Sequence, residues 1–370
     1  MSVDVRVLVA AIAVACLVAA APPTALSAGE AANPRAALFP VTPLRLSGEV
    51  DSNSPAIWDR TSGVLRFFVV TSYDGRPSTA RGRSLTRLGL ALPSSLEPWP
   101  GGGVWIEAVV PDVDGTWYGY YHNEMPAEEV CPGSNKVIPR IGAARSRDQG
   151  QTWEQLGILL EAPAGAYSCN TTNVFFVNGV GDFSVQLDPD SRDLYFFLSQ
   201  YERSTTQQGV AVGRLAWADR DDPAGKLMVW RSRVWVPAAR MVTKDGDDVA
   251  WAYATGSSLF SVTDGWHDEG STTNEFWGPS VHWNSHLQMY AMLLNRAKNT
   301  RYDQEGIYVS FSPSLDDPRL WSPPVKILNG GSWYPQVISE DDGIGTDKIA
   351  GEWARFFMAG TSQYLIHFTK

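Results

Sequence analysis

Cysteine and histidine are scarce in this chain, at 3 and 5 of 370 residues. No H-E-x-x-H pair is present, and His282 and His286, although i and i+4, flank an expected strand turn rather than sharing a helix face. A transition-metal site is therefore not expected, since such sites are built from clustered His and Cys ligands. Basic residues are also in the minority, with 30 Lys and Arg against 40 Asp and Glu and a net charge of −10. Nucleic acid needs a basic stripe to meet its phosphates, so it is excluded as a partner. There is no P-loop and no Gly-rich dinucleotide fingerprint, so no nucleotide cofactor is expected. Low-complexity tracts are absent and 44% of residues are hydrophobic, which excludes a disordered chain.

Long apolar runs are lacking too. The run from Val7 to Ala21, preceded by Arg6, falls short of the about 20 residues a spanning helix needs. It fits the apolar region of a signal peptide, with cleavage near Ser27 or Ala28 after a stretch of small residues. The expected organisation is a signal peptide over 1–28 and one domain over 29–370, exported to the periplasm or the medium. Ala13-Val14-Ala15-Cys16 leaves a lipid-anchored form as an alternative. Cleavage would leave Cys131 and Cys169, and an even count in an exported chain suggests a disulfide between them.

What is present is aromatic residues, with 15 Trp, 13 Tyr and 14 Phe, and a repeat. A short apolar strand, a tight turn and an aromatic-rich strand recur five times, at 54–72, 107–123, 183–201, 279–295 and 335–361. Each copy reads as a hairpin. A lone hairpin cannot bury its apolar face, so the copies must stack. Two further strands follow copies two, three and four, and four strands per repeat is a propeller blade. The fold expected is all-β, a single five-bladed β-propeller. The fifth copy is one strand short, while residues 41–47 are spare and are expected to complete it, closing an open edge. Residues 237–277 fit no blade and are expected to wall one side of a central pocket. Residues 124–138 form a smaller insertion in blade two.

The segment SRDQGQTW, 146–153, matches S-x-D-x-G-x-T-W and resembles the Asp-box of sialidases and related propellers. That resemblance implies a turn between the third and fourth strands of a blade, with Asp148 accepting backbone N–H bonds, Gly150 at positive φ and Trp153 packed between sheets. The arginine triad of sialidases has no counterpart that can be assigned here.

The hairpin pattern more closely resembles the five-bladed glycoside hydrolases of the arabinanase, xylosidase and invertase families. In them, acidic residues at the innermost strand starts surround the central pocket. The resemblance points to Asp51 in DSNSPAIWD, Glu107 in WIEAVVPD and Asp182 in Gly181-Asp182-Phe183, an Asp where those families carry a Glu.

Glycoside hydrolysis typically uses two carboxyl groups, an acid and a base or nucleophile. Glu107, beside Trp105, is expected to be the acid, because an apolar setting raises a carboxyl pKa. Asp182 or Asp51 is expected to be the base or nucleophile, the other orienting the sugar. Asn53, His122, Glu124 and Glu275 are candidates for binding sugar hydroxyls, and Trp105, Trp277 and Trp333 for stacking on sugar rings. The expected partner is a carbohydrate, the expected state a monomer, and no cofactor is required. A structural Ca²⁺ on the axis stays open, since the candidate ligands are oxygens. A non-catalytic carbohydrate-binding propeller is the alternative function, and a lyase with a Tyr/His/Arg cluster is a third.

Overall fold

The computed structural model describes residues 33–370, apart from 62, 164, 244–248 and 268–271. The expected signal peptide and Cys16 lie outside the described residues. Among the described residues, five mainly antiparallel sheets, each of four or five strands, follow one another along the chain, and their innermost strands pack against each other around an axis. This is the five-bladed propeller that the repeat requires. Blade 1 contains Ala56–Asp59, Arg66–Tyr73, Arg76–Gly82 and Leu92–Pro93. Blade 2 contains Gly103–Pro111, Trp117–Pro126, Val137–Ser146 and Thr152–Leu160, with Ser95–Glu97 parallel on its outer edge. Blade 3 contains Val180–Leu187, Asp193–Gln200, Gly209–Ala216, Met228–Arg231 and Val234–Pro237. Blade 4 contains Phe276–Asn284, Met289–Ala297, Gln304–Ser312 and Val325–Asn329, with Ile349–Ala350 parallel to its innermost strand.

Blade 5 has only Gln336–Ile338, Trp353–Met358 and Thr361–Thr369 from the C-terminal part of the chain. Its outer strand is Arg35–Arg45, antiparallel to Thr361–Thr369 and interrupted by a bulge between Pro40 and Leu44. The closing strand thus starts earlier than 41–47. Its two prolines and the bulge suit an edge position, where a lost N–H breaks no ladder.

Apolar side chains on alternate strand positions meet those of the next blade. Between blades 2 and 3 lie Ala108, Tyr120, Ile141, Phe183, Phe196 and Leu198, all at most 1% exposed. At about 25 cal/mol per Å² of apolar surface, these inter-blade layers are the main source of stability.

The turn at 146–151 joins the third and fourth strands of blade 2. Asp148 Oδ1 accepts N–H bonds from Gln151 at 3.1 Å and Thr152 at 2.9 Å, and Gly150 has a φ of +80°. Cys131, in the loop before Val137, is bridged to Cys169, with Cα atoms 5.3 Å apart. The bridge ties the blade 2 insertion to the segment entering blade 3. Within 237–277, Ala239–Thr243 and Val249–Tyr253 form a separate hairpin. The segment then runs along blade 3, with Leu259 N–H donating to Val210 O, and brings Trp266 flat against Tyr302, ring centroids 4.3 Å apart.

Candidate active site

The site is made by irregularities in the innermost strands. In blade 2, Ile106 pairs with Tyr121 and Ala108 with Tyr120, so Glu107 is an extra residue between them. In blade 3, Gly181 pairs with Ser199 and Phe183 with Leu198, so Asp182 is the extra residue, at a φ of +41°. Blade 4 has the same feature at Gly278 and Pro279. A β-bulge frees one residue from the ladder and re-aims its side chain. Glu107 and Asp182 therefore lie within longer strands, not at strand starts, and both leave the inter-blade core.

The two bulges meet through the backbone of blade 3. Phe183 N–H donates to Glu107 Oε2 at 2.5 Å, and Asp182 N–H donates to His122 Nδ1 at 3.0 Å. The bulge has no ladder partners for these two N–H groups, and blade 2 supplies them. Ser199 Oγ donates to the Asp182 carbonyl at 3.0 Å, and the Tyr201 hydroxyl donates to Asp182 Oδ2. Gly181 is required here: a Cβ on it would lie 2.6 Å from His122 Cε1. Trp105 packs edge-on against His122, ring centroids 5.7 Å apart.

His122 is surrounded by acids. Glu107 Oε1 and Asp182 Oδ1 lie 3.4 and 3.5 Å from Nδ1, and Glu124 Oε1 lies 3.5 Å from Nε2. Burial lowers the imidazole's proton affinity; the carboxylates raise it, and the balance is upward. The Asp182 N–H contact opposes that balance, because an N–H donor needs a bare Nδ1. Charge-assisted N–H···O bonds are about 2.7–2.9 Å, so the carboxylates at 3.4–3.5 Å are not bonded to the ring, whereas the amide is. That one amide contact is formed only by a ring with a bare Nδ1 and its proton on Nε2.

Glu107 is 1% exposed, and its carboxyl is pushed up to about 7, chiefly by burial and further by Asp182, against the pull of His122 and the Phe183 N–H. Asp51 precedes the first strand of blade 1 and is exposed to solvent. Its enclosure among neighbouring groups still desolvates the carboxyl enough to raise it, with Asp182 and Glu124 adding to the rise and His122 and Tyr334 opposing it. The cluster thus opens to solvent at Asp51 and at Glu124, whose side chain is 28% exposed, and deepens through Asp182 to Glu107.

Among the described residues, Glu107, His122 and Asp182 form a group that brings one ligand atom each within 4.8 Å of the others. With the Nδ1 lone pair engaged by the Asp182 N–H, the imidazole nitrogen nearest both carboxylates is not free to ligate. The same proximity bears on catalysis. The separations used in glycoside hydrolysis are about 5–5.5 Å for retention and 6.5–9.5 Å for inversion. One carboxyl oxygen of Glu107 and one of Asp182 lie within 4.8 Å of each other, nearer than either separation.

No family model and no curated protein matches this sequence. Its shape is similar to that of an endo-arabinase from Bacteroides thetaiotaomicron, at 12% identity and a TM-score of 0.48, over 90% of this chain and 96% of that one. An exo-β-1,3-galactanase from Phanerochaete chrysosporium, crystallised with β-1,3-galactotriose, aligns at 11% identity and a TM-score of 0.46, over 89% of this chain and 64% of that one. An α-L-arabinofuranosidase from Podospora anserina, in complex with cellotriose, aligns at 11% and 0.42, over 88% and 95%. At these identities the likeness is one of fold, and chemistry must come from the side chains present.

The other candidates are placed unevenly. Trp105 and Glu124 border the cluster. Asn53 is 5% exposed and spends its amide on the carbonyls of Phe183 and Pro279, at 2.9 and 3.0 Å, which ties blade 1 to blades 3 and 4. Glu275 is fully buried away from the group, bonded by Gln208 and by Phe276 N–H; burial raises its carboxyl well above the ordinary range. Trp277, 2% exposed, and the half-buried Trp333 belong to an aromatic cluster with Phe176, Tyr201, Trp266, Tyr302 and Tyr334. Sugar stacking is not available to Trp277 in that position. The residues missed from the sequence are Tyr201 and Tyr334, which connect this cluster to Asp182 and Asp51. Tyr334 was within reach of inference, since it adjoins Trp333 at the start of the fifth repeat.

Proposed function

We propose that this protein is a glycoside hydrolase acting on a neutral oligo- or polysaccharide. The observation that carries the reading is Glu107: a carboxyl buried in a bulge, protonated up to about pH 7, and linked to a solvent-facing Asp51 through Asp182. Glu107 is the source of the proton that goes to the leaving glycosidic oxygen, passed on by Asp182 on its solvent side. Asp51 takes the role of base, drawing a proton from the attacking water. Asp182 holds the proton on Glu107 by like-charge repulsion, as paired carboxylates do. Trp105 is placed to cover the apolar face of a sugar ring, and Glu124 to accept hydroxyl hydrogens.

Four acidic side chains around the site favour an uncharged sugar and oppose a uronate. A lyase acting on uronates would need a net positive site, and one histidine among four acidic side chains does not make one. Export, read from the N-terminal segment, accords with the Cys131–Cys169 bridge, since disulfides persist in oxidising compartments.

The test is release of reducing ends from neutral arabinans, galactans, xylans and their aryl glycosides by the mature protein, with Asp51→Asn and Glu107→Gln alongside. Losing an acid or base should lower turnover 10²–10⁴-fold while leaving glycan binding intact. Binding with no hydrolysis by the wild type would instead establish the carbohydrate-binding propeller.

A further inference from the structure

A bulge that exposes two backbone N–H groups in a dry interior must find acceptors for them, because a buried unpaired donor costs about 1–3 kcal/mol. Here the acceptors are Glu107 and His122, side by side on the first two strands of blade 2. The two bonds are not equivalent. A carboxyl oxygen accepts whether or not the group carries a proton, but an imidazole nitrogen accepts only while bare. His122 is 3% exposed, wedged against Gly181 on one side and Trp105 on the other, so its ring has little room to turn.

We infer that His122 is a positioning residue, whose bare Nδ1 clasps the Asp182 amide and so fixes both the Asp182 carboxylate and the Phe183 N–H that holds Glu107. This rests on the hydrolase reading for its consequence, but not for its geometry. His122 is thereby removed from the sugar-binding role that its place at the end of an aromatic strand suggested. The remaining proton sits on Nε2 and faces Glu124. The groups around the ring are Glu107, Glu124 and Asp182, with Asp51 beyond them. Each would attract a second proton to the ring. That proton would land on Nδ1, break the Asp182 N–H bond and release the φ +41° bulge from its tether. Asp182 would keep its bonds from Ser199 and Tyr201, but its amide would have no acceptor.

Two measurements test this on the mature full chain. The first needs no substrate: imidazole ¹⁵N resonances of the histidine-labelled protein, with His122 assigned by its loss in a His122→Asn sample. The expected result between about pH 6 and 8 is a bare Nδ1 and a protonated Nε2. A ring protonated on both nitrogens at pH 7 overturns the inference.

The second separates positioning from mere packing. In His122→Asn, the new side-chain amide oxygen can stand where Nδ1 stood, whereas His122→Gln places its polar group at the Nε2 position. The Asn variant should keep kcat within about tenfold and retain the wild-type pH limb. The Gln variant should lose about 10²-fold in kcat with KM little changed, the cost of a misplaced reacting group. Equal losses in both variants, or a loss confined to KM, would overturn it. A wild type that hydrolyses nothing would defeat the hydrolase reading alone, and the resonance measurement would still decide the clasp.

Discussion

Replacing Glu107 by Gln should make the protein more stable at alkaline pH while lowering turnover 10²–10⁴-fold. The wild-type carboxyl moves from an ordinary value of 4.5 to about 7 on folding, because the folded protein buries it. A group whose pKa is raised in the fold binds its proton more tightly there. Its stabilising contribution is complete below pH 4.5 and is lost as pH climbs through 7. At 1.36 kcal/mol per pH unit of displacement, the swing for one fully buried carboxyl is about 3 kcal/mol. Gln has the shape of the protonated acid, can still accept the Phe183 N–H and never ionises. Urea unfolding of both proteins from about pH 4.5 to 9 should give curves that nearly coincide at the acidic end, diverge as pH rises from about 5 and reach their full separation just above about pH 7. The Gln variant should end ahead by up to about 3 kcal/mol. Neighbouring ionisable groups respond to the charge on Glu107, so the difference between the two curves, not either curve alone, carries the result. Parallel curves would mean that Glu107 keeps its ordinary proton affinity in the fold, and the assignment of Glu107 as proton donor would fall with them.

Four other expectations follow from the same geometry. The pH–rate profile of kcat/KM should fall above about pH 7 as Glu107 loses its proton, and Glu107→Gln should lower activity 10²–10⁴-fold at every pH rather than displace that limb. Glu275→Gln should reduce the loss of stability with rising pH, because burial raises this carboxyl too, yet leave hydrolysis within a few-fold. Cys131→Ala with Cys169→Ala should cost roughly 4 kcal/mol in denaturant melts, the chain-entropy figure for closing a loop whose ends are 38 residues apart. Removal of residues 34–45 should strip the edge of blade 5, and light scattering on heating should show aggregation together with a large fall in melting temperature; an unchanged melt would refute the closure.

The architecture was legible because hairpins advertise themselves. Period-two apolar runs on either side of Asp, Asn or Gly turns are local signals, and five copies with one strand missing imply both stacking and closure. The aromatic residues were harder to place, because one residue type serves two purposes. Trp105 borders the site, whereas Trp277 lies in the aromatic cluster and donates no ring face to solvent. Nothing in a Trp at a strand start distinguishes these. Glu275 looked like Glu107, an acid leading into an apolar strand, yet its partner is Gln208, and Gly209 is bare to let the carboxyl approach: a Cβ there would lie 1.9 Å from Glu275 Oε1.

The bulges were not legible at all, and they decide the chemistry. A bulge leaves the apolar alternation intact on either side and merely resets its phase. In sequence, Ile106-Glu107-Ala108 reads as one acid in a regular strand, as does Gly181-Asp182-Phe183. What holds the bulges lies far away in the chain. Asn53 anchors Phe183 O from 130 residues away and Pro279 O from 226. Gln336 takes the N–H and C=O of Ser54 across 282 residues, fastening blade 5 to blade 1. Ser199 bonds both the Asp182 carbonyl and the Gly278 N–H, joining two bulges directly. These are buried polar groups satisfied by backbone, and in a dry interior each must be paired or it becomes a liability. Their partners are main-chain atoms, which every residue has, so no pattern of side chains foretells them. The carboxylates therefore owe their placement to backbone bonds between blades. A substitution at Asn53, Ser199 or Gln336, none of which is assigned a chemical step, should misalign Glu107 and Asp182 as surely as one beside them.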